Sequence, residues 1–265
     1  MKNKNQTAKG KRGYTTEAEN NPFISKSDNE LIYLLKSNNP KERTSAAIIL
    51  GQKKAKKAIS TLCEQLKNEK ALYSKIAISE ALGEIGKPAI DELIKYLGKI
   101  GTNQHKALPK NIFNKWSYPL PRDIIARTIC KIGNSVLADL NKVLAKGNKK
   151  QIYEAVDAIG FISFYSEDRT SFEILEKLLQ KYNDDEILKW KITRALSAFP
   201  SKESEKVLLN MLKTSKGPEL KWEAIRSLGL ICKKVPEELL IAKNDENNNI
   251  RKMFFFAIDK ISGNN

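Results

Sequence analysis

Three pairs of residues, each four positions apart, set an aromatic ring beside a charged group: Tyr153 with Asp157, Trp190 with Arg194, and Trp222 with Arg226. On a helix, residues at i and i+4 share a face, so each pair would meet another surface as one patch. Trp and Arg suit recognition because each joins a large contact area to a polar or cationic handle. Arg127 would extend the stripe, making Arg127, Tyr153, Asp157, Trp190, Arg194, Trp222 and Arg226 the candidate partner-binding residues. The alternative is that the Trp side chains belong to the core and each Arg covers an indole face. A second group lies between Gly98 and Leu120, where Phe113, Trp116, Tyr118 and several Lys residues lead into Arg122. Loops concentrate recognition residues, so this stretch reads either as a docking arm or lid, or as a packed loop whose rings cover an apolar groove.

Other chemistry has less to build on. Cys63, Cys130 and Cys232 are widely separated and fall in apolar patterns, as buried thiols of a reducing compartment would. The only histidine, His105, has no Cys or His neighbour to share a metal with. No metal, cofactor or His-based catalysis is expected. The net charge of +16 would attract phosphate backbones, although Lys-rich surfaces often serve only solubility. The apolar runs Ala46–Leu50 and Met253–Ile258 fall far short of the roughly 20 residues that cross a bilayer. The Lys- and Asn-rich start lacks an apolar secretory core. A cytoplasmic protein without membrane insertion is expected.

The elements that would position these residues repeat along the chain. Segments beginning at Arg43, Lys75, Arg122, Ile152, Lys189, Lys221 and Arg251 align without gaps over ten residues. Their ninth positions are Gly51, Gly83, Cys130, Gly160, Ser197, Gly229 and Asp259, a period of about 30–32 residues broken by longer insertions. Fourth and eighth positions are apolar throughout, as in Ala46 with Leu50 and Ile192 with Leu196, which describes one packed helix face. Between them lie second apolar helices, such as Ile59, Leu62 and Leu66. Pro88 and Pro236 mark helix starts, and Ser27 with Glu30 forms a capping box. Strand-like alternation is missing.

This pattern of a basic residue, Ala or Ile, Leu-Gly and then a Leu-rich helix resembles the short HEAT-like repeats of phycobilisome lyases and related scaffold proteins. The resemblance runs over roughly residues 27–261. It implies an all-α, right-handed solenoid, an armadillo-like superhelix of about seven two-helix repeats. Bilin-lyase activity does not follow from it. Residues 1–26 are expected as a disordered basic tail, and residues 27–265 as a single domain with an inserted loop at about 98–120.

In such repeats the basic first position commonly reaches a neighbouring turn, which gives Arg43, Lys75, Arg122, Lys189, Lys221 and Arg251 either a structural or a binding role. The expected function is a non-enzymatic scaffold that binds a protein or peptide through its concave face. Nucleic-acid binding in a basic groove is the alternative. The stripe also resembles the active groove of alkylpurine DNA glycosylases of this architecture, where Asp157 would stabilise charge at the sugar and Arg194 and Arg226 would meet phosphates.

Overall fold

A computed structural model describes residues 8–263, whose regular structure is helical with no strand among them. The helices are α1 (Glu17–Ile24), α2 (Asp28–Leu34), α3 (Pro40–Gln52), α4 (Ile59–Asn68), α5 (Leu72–Ile85), α6 (Ile90–Tyr96) and α7 (Ile124–Ile132). They continue as α8 (Leu137–Lys146), α9 (Lys149–Ser166), α10 (Phe172–Lys181), α11 (Glu186–Ala195), α12 (Lys202–Thr214), α13 (Pro218–Ile231) and α14 (Asn248–Ser262). The chain divides into two compact units, Met1–Thr102 with Asp123–Val136, and Asn103–Arg122 with Leu137–Asn265.

The aligned segments are α3, α5 and α7 in the first unit and α9, α11, α13 and α14 in the second. Their fourth and eighth positions are core: Ala46, Leu50, Ile192 and Leu196 are all essentially buried. The ninth-position glycine has a steric reason. A Cβ on Gly51 would lie 2.7 Å from Ala81 Cα, and one on Gly229 the same distance from Ala257 Cα. The Gly of one repeat thus faces the seventh-position Ala of the next, and the helix backbones close to a distance that side chains would forbid. In the first unit, α5 ends at Gly86 with φ 79° and turns through the short 3-10 helix Lys87–Ala89 into α6, and Pro88 sits inside that turn as expected. Pro236 caps the 3-10 helix Glu237–Asn244 instead of opening it.

The expected tail is partly folded. Residues 1–7 lie outside the described residues, but α1 follows a full capping box in which Thr16 and Glu19 exchange bonds, and Ser45 Oγ donates to Asn20 Oδ1 at 2.6 Å. Gly13, at φ 87°, fits against Ser74, Thr44 and the Pro40 carbonyl. Tyr14 packs edge-on to Tyr73, and Tyr73 N–H donates to the Arg12 carbonyl. Local caps and one glycine fix this stretch where net polarity had suggested none. The Ser27–Glu30 capping box is present at the start of α2.

Candidate functional site

In the second unit, residues 103–122 form a strap without helix or strand that lies across α9, α11, α13 and α14. Its fixings are side chains of those helices. Arg226, on α13, donates from Nη2 to the carbonyls of Lys115 (3.1 Å) and Ser117 (2.8 Å), and its guanidinium lies 4.9 Å from the centre of the Phe113 ring. Trp116 stacks on Phe256 of α14 at 3.9 Å. His105 meets Trp190 of α11 edge-on at 4.9 Å. Tyr118 is buried against Phe161 and Phe164, its hydroxyl seated over Gly160, where a Cβ would come within 2.0 Å of it. Tyr165 donates to the Tyr118 carbonyl at 3.3 Å.

Beneath the strap runs a ladder of buried charge. Lys191 Nζ reaches Asp157 Oδ2 at 2.6 Å and Glu154 Oε1 at 3.3 Å. Glu223 takes Arg194 at 2.9 Å and Arg226 at 3.2 Å. Lys191, Glu223 and Arg226 have no solvent-exposed surface, so each charge depends on its partners rather than on water. Burial works against the Arg194 charge, but Glu223 and Asp157 more than offset it and leave its pKa raised. In Arg226 burial prevails and the pKa falls. Burial, aided by Lys191, also depresses His105 to about 4, so its ring is neutral at pH 7.

The stripe expected to lie open is therefore covered. Tyr153, Asp157, Trp190, Arg194, Trp222 and Arg226 are all buried, because the second and sixth positions of these repeats turn toward the core and the strap closes over them. Arg194 lies 3.9 Å from the Trp190 ring centre, the indole-covering arrangement. Tyr153 donates to Asp185, which also pairs with Lys149. Arg127 is half-buried on α7 and belongs to the first unit. Asp157 is tied to Lys191 and covered, which is not the open carboxylate a glycosylase groove would need.

Of the insertion residues, Phe113 and Tyr118 pack inward, Trp116 keeps 39% of its surface exposed and Arg122 is exposed. A cavity of about 220 Å³ remains between the strap and the helices, lined by His105, Ile112, Phe113, Arg122, Asp157 and Arg194 among others.

Sequence reasoning missed Glu154, Lys191 and Glu223, the third positions of three successive repeats. Elsewhere this column reads Ser45, Ala77, Ile124 and Met253. Acid, base and acid there, opposite Asp157, Arg194 and Arg226 in the sixth column, was the signal of a complementary buried ladder.

Three of the six basic first-column residues, Arg43, Lys189 and Arg251, have structural partners. Arg43 bonds both oxygens of Glu69 at 2.7 and 2.9 Å and the Ser37 carbonyl at 2.7 Å. Glu69 in turn accepts from the backbone of Lys70 and Ala71, just ahead of α5. Burial pushes the Glu69 carboxyl up, and Arg43 with these amides brings it below the usual range. Arg251 bonds the carbonyls of Asp245 and Glu246, and Lys189 pairs with Glu186. Among the described residues no cluster of His, Cys, Asp and Glu could hold a metal, and no helix is long and apolar enough to cross a membrane.

These features define an all-helical repeat fold whose second unit carries a strapped, charge-laddered face. Residues 29–109 match the family described as HEAT repeats. No curated protein matches the sequence. Among solved structures, human deoxyhypusine hydroxylase with glycerol is similar at 15% identity, covering 89% of this chain and 84% of that one with a TM-score of 0.39. The CpcE–CpcF complex of phycocyanin lyase from Nostoc is similar at 17% identity, 91% and 88% coverage and a TM-score of 0.39. A designed armadillo repeat protein bound to the peptide (KR)4 is similar at 14% identity, 89% and 100% coverage and a TM-score of 0.37. Likeness at this level is general, and none of these proteins' activities transfers with it.

Proposed function

We propose that this chain is a non-enzymatic HEAT-repeat scaffold that binds a protein or peptide. The observation that carries the reading is that the face of α9, α11 and α13 already holds an irregular, non-helical stretch of polypeptide. It does so partly through Arg226 and two backbone carbonyls, contacts that any peptide could supply. Repeats stack equivalent positions into long surfaces suited to extended ligands. The charged groups that might have served catalysis or phosphate binding are instead spent on one another in the Asp157–Lys191 and Arg194–Glu223–Arg226 pairings. The buried thiols of Cys63 and Cys232 agree with a reducing, cytoplasmic setting.

The test is to probe the full-length chain with an array of synthetic peptides and, in parallel, with labelled single-stranded and duplex DNA at low salt. Peptide binding that survives roughly 0.2 M salt is expected. Binding of DNA alone, falling steeply as salt rises, would replace this reading with a nucleic-acid module. Base release from alkylated DNA that is lost in Asp157→Asn would replace it with an enzyme.

A further inference from the structure

We propose that the strap is an intramolecular placeholder, and that the face it covers is the partner-binding surface for an extended, non-helical peptide bearing aromatic residues spaced like Phe113, Trp116 and Tyr118. The inference rests on the scaffold reading above and names its site and partner class.

The strap is fixed as a ligand is fixed. Its backbone is gripped at two carbonyls by a side chain distant by 111 and 109 residues in sequence. Its rings fall into separate seats: Phe113 beneath the Arg226 guanidinium, Trp116 on Phe256, Tyr118 over Gly160. A ring, two residues, a ring, one residue, a ring and then Pro119 is the pattern a partner would reproduce.

The receiving face is also poorly explained as a mere core. A permanent cover would be expected to pair or exclude every polar atom at the seam. Yet among the described residues Asp157 Oδ1, Trp190 Nε1 and Arg226 Nε on this face are buried without a hydrogen-bond partner, as are His105 Nδ1 and Tyr118 Oη of the strap itself. A peptide that satisfied the three on the face would hold it better than the strap does. The strap can also leave. It has no secondary structure, and the chain ahead of it passes through Gly98 and Gly101 at φ 72° and 76°, where glycine permits a change of course.

The experiment uses the full-length chain and, as probe, a fluorescently labelled synthetic peptide with the sequence of residues 103–122, supplied in trans. Trp116→Ala in the protein removes a half-exposed ring and loosens the strap without substituting a helical residue. The probe should bind that variant roughly tenfold more tightly than the parent chain, the scale on which loss of one stacked aromatic contact acts. Adding Phe256→Ala, which removes the seat for the probe's own Trp, should cancel the gain, and a scrambled probe should not bind.

Helical circular dichroism confirms that each variant is folded, and Tyr118→Ala provides a second way to loosen the strap if the first is silent. Equal affinity for the parent and both loosened variants would overturn the placeholder, as would equal binding of the scrambled probe. If array peptides nevertheless bind all these proteins alike, the scaffold reading stands and only this site falls. If neither array peptides nor the probe binds any of them, the scaffold reading falls as well.

Discussion

Glu223→Gln should destabilise the second unit severely while changing almost no volume. Glu223 is fully buried and bonds Arg194 through Nε and Nη2 at 3.2 and 2.9 Å, and Arg226 through Nη1 at 3.2 Å. The amide keeps the shape but removes the only charge joining two buried guanidinium groups. Breaking a buried pair from one side costs about 3–5 kcal/mol because the remaining charge loses its compensation, and here two guanidinium groups lose their shared carboxylate, Arg194 keeping only Asp157 nearby and Arg226 only the Lys115 and Ser117 carbonyls. Against a total stability of about 5–15 kcal/mol for a folded domain, that is a large fraction. It corresponds to a fall in melting temperature of roughly 6–20 °C for a protein of this size.

The assay is urea unfolding followed by tryptophan fluorescence. Trp116, Trp190 and Trp222 all lie in the second unit and are the chain's three tryptophans, so the signal reports that unit alone. A loss below about 1 kcal/mol would refute the account of the ladder, since that is the scale of an exposed pair. Glu205→Gln at the exposed Lys202–Glu205 pair supplies that reference within the same unit. Adding Arg226→Met to Glu223→Gln should recover part of the loss by removing one stranded charge.

Other outcomes follow from the same geometry. Trp190→Ala and Trp222→Ala should each cost about 3–5 kcal/mol in urea unfolding, as core truncations do, and not act as clean binding variants. Gly160→Ala should drive Tyr118 from its seat, because the new Cβ falls 2.0 Å from its hydroxyl. Limited proteolysis should then cut within 103–122, and in a Tyr118→Ala background the same change should cost less, with only the 3.1 Å approach to Ala195 Cα left to relieve. His105, held at about 4 against an ordinary 6.5 by burial and by Lys191, binds fewer protons when folded. Its contribution is complete above pH 6.5 and is lost as pH falls toward 4. Solvent screening at this partly exposed ring limits the loss to about 1–2 kcal/mol. The difference in stability between the parent and His105→Phe over that window isolates it from Asp157, Lys191, Arg194 and Arg122 nearby. Thr16→Ala should cost about 1 kcal/mol of first-unit stability by removing the cap of α1, read by amide exchange across α1.

The repeats were legible because their constraints are local. Apolar residues four apart and a glycine at the ninth position recur in sequence, and the glycine has to recur where Gly51 and Gly229 meet the next helix's Ala. The capping boxes are equally local, and Thr16 with Glu19 carried the same signature as Ser27 with Glu30, although the surrounding polarity hid it. The site was not legible in this way. Whether Trp190 and Arg226 face solvent depends on a strap that joins residues more than a hundred positions apart, and no spacing rule reaches that far. The third-position charges Glu154, Lys191 and Glu223 carry no signal within any single repeat. Their complementarity exists only between neighbouring repeats.

The strap is joined to the chain at both ends, and that makes it a competitor at fixed dose. A short tethered segment presents itself to its own seat at an effective concentration on the order of millimolar. A free peptide with the same contacts would displace it only near that level, far above the abundance of most cellular proteins. The face would thus ignore casual aromatic segments. It would respond to partners that satisfy the polar atoms the strap leaves bare, or that bring a second point of attachment, so the tether sets a threshold for admission rather than a simple on or off.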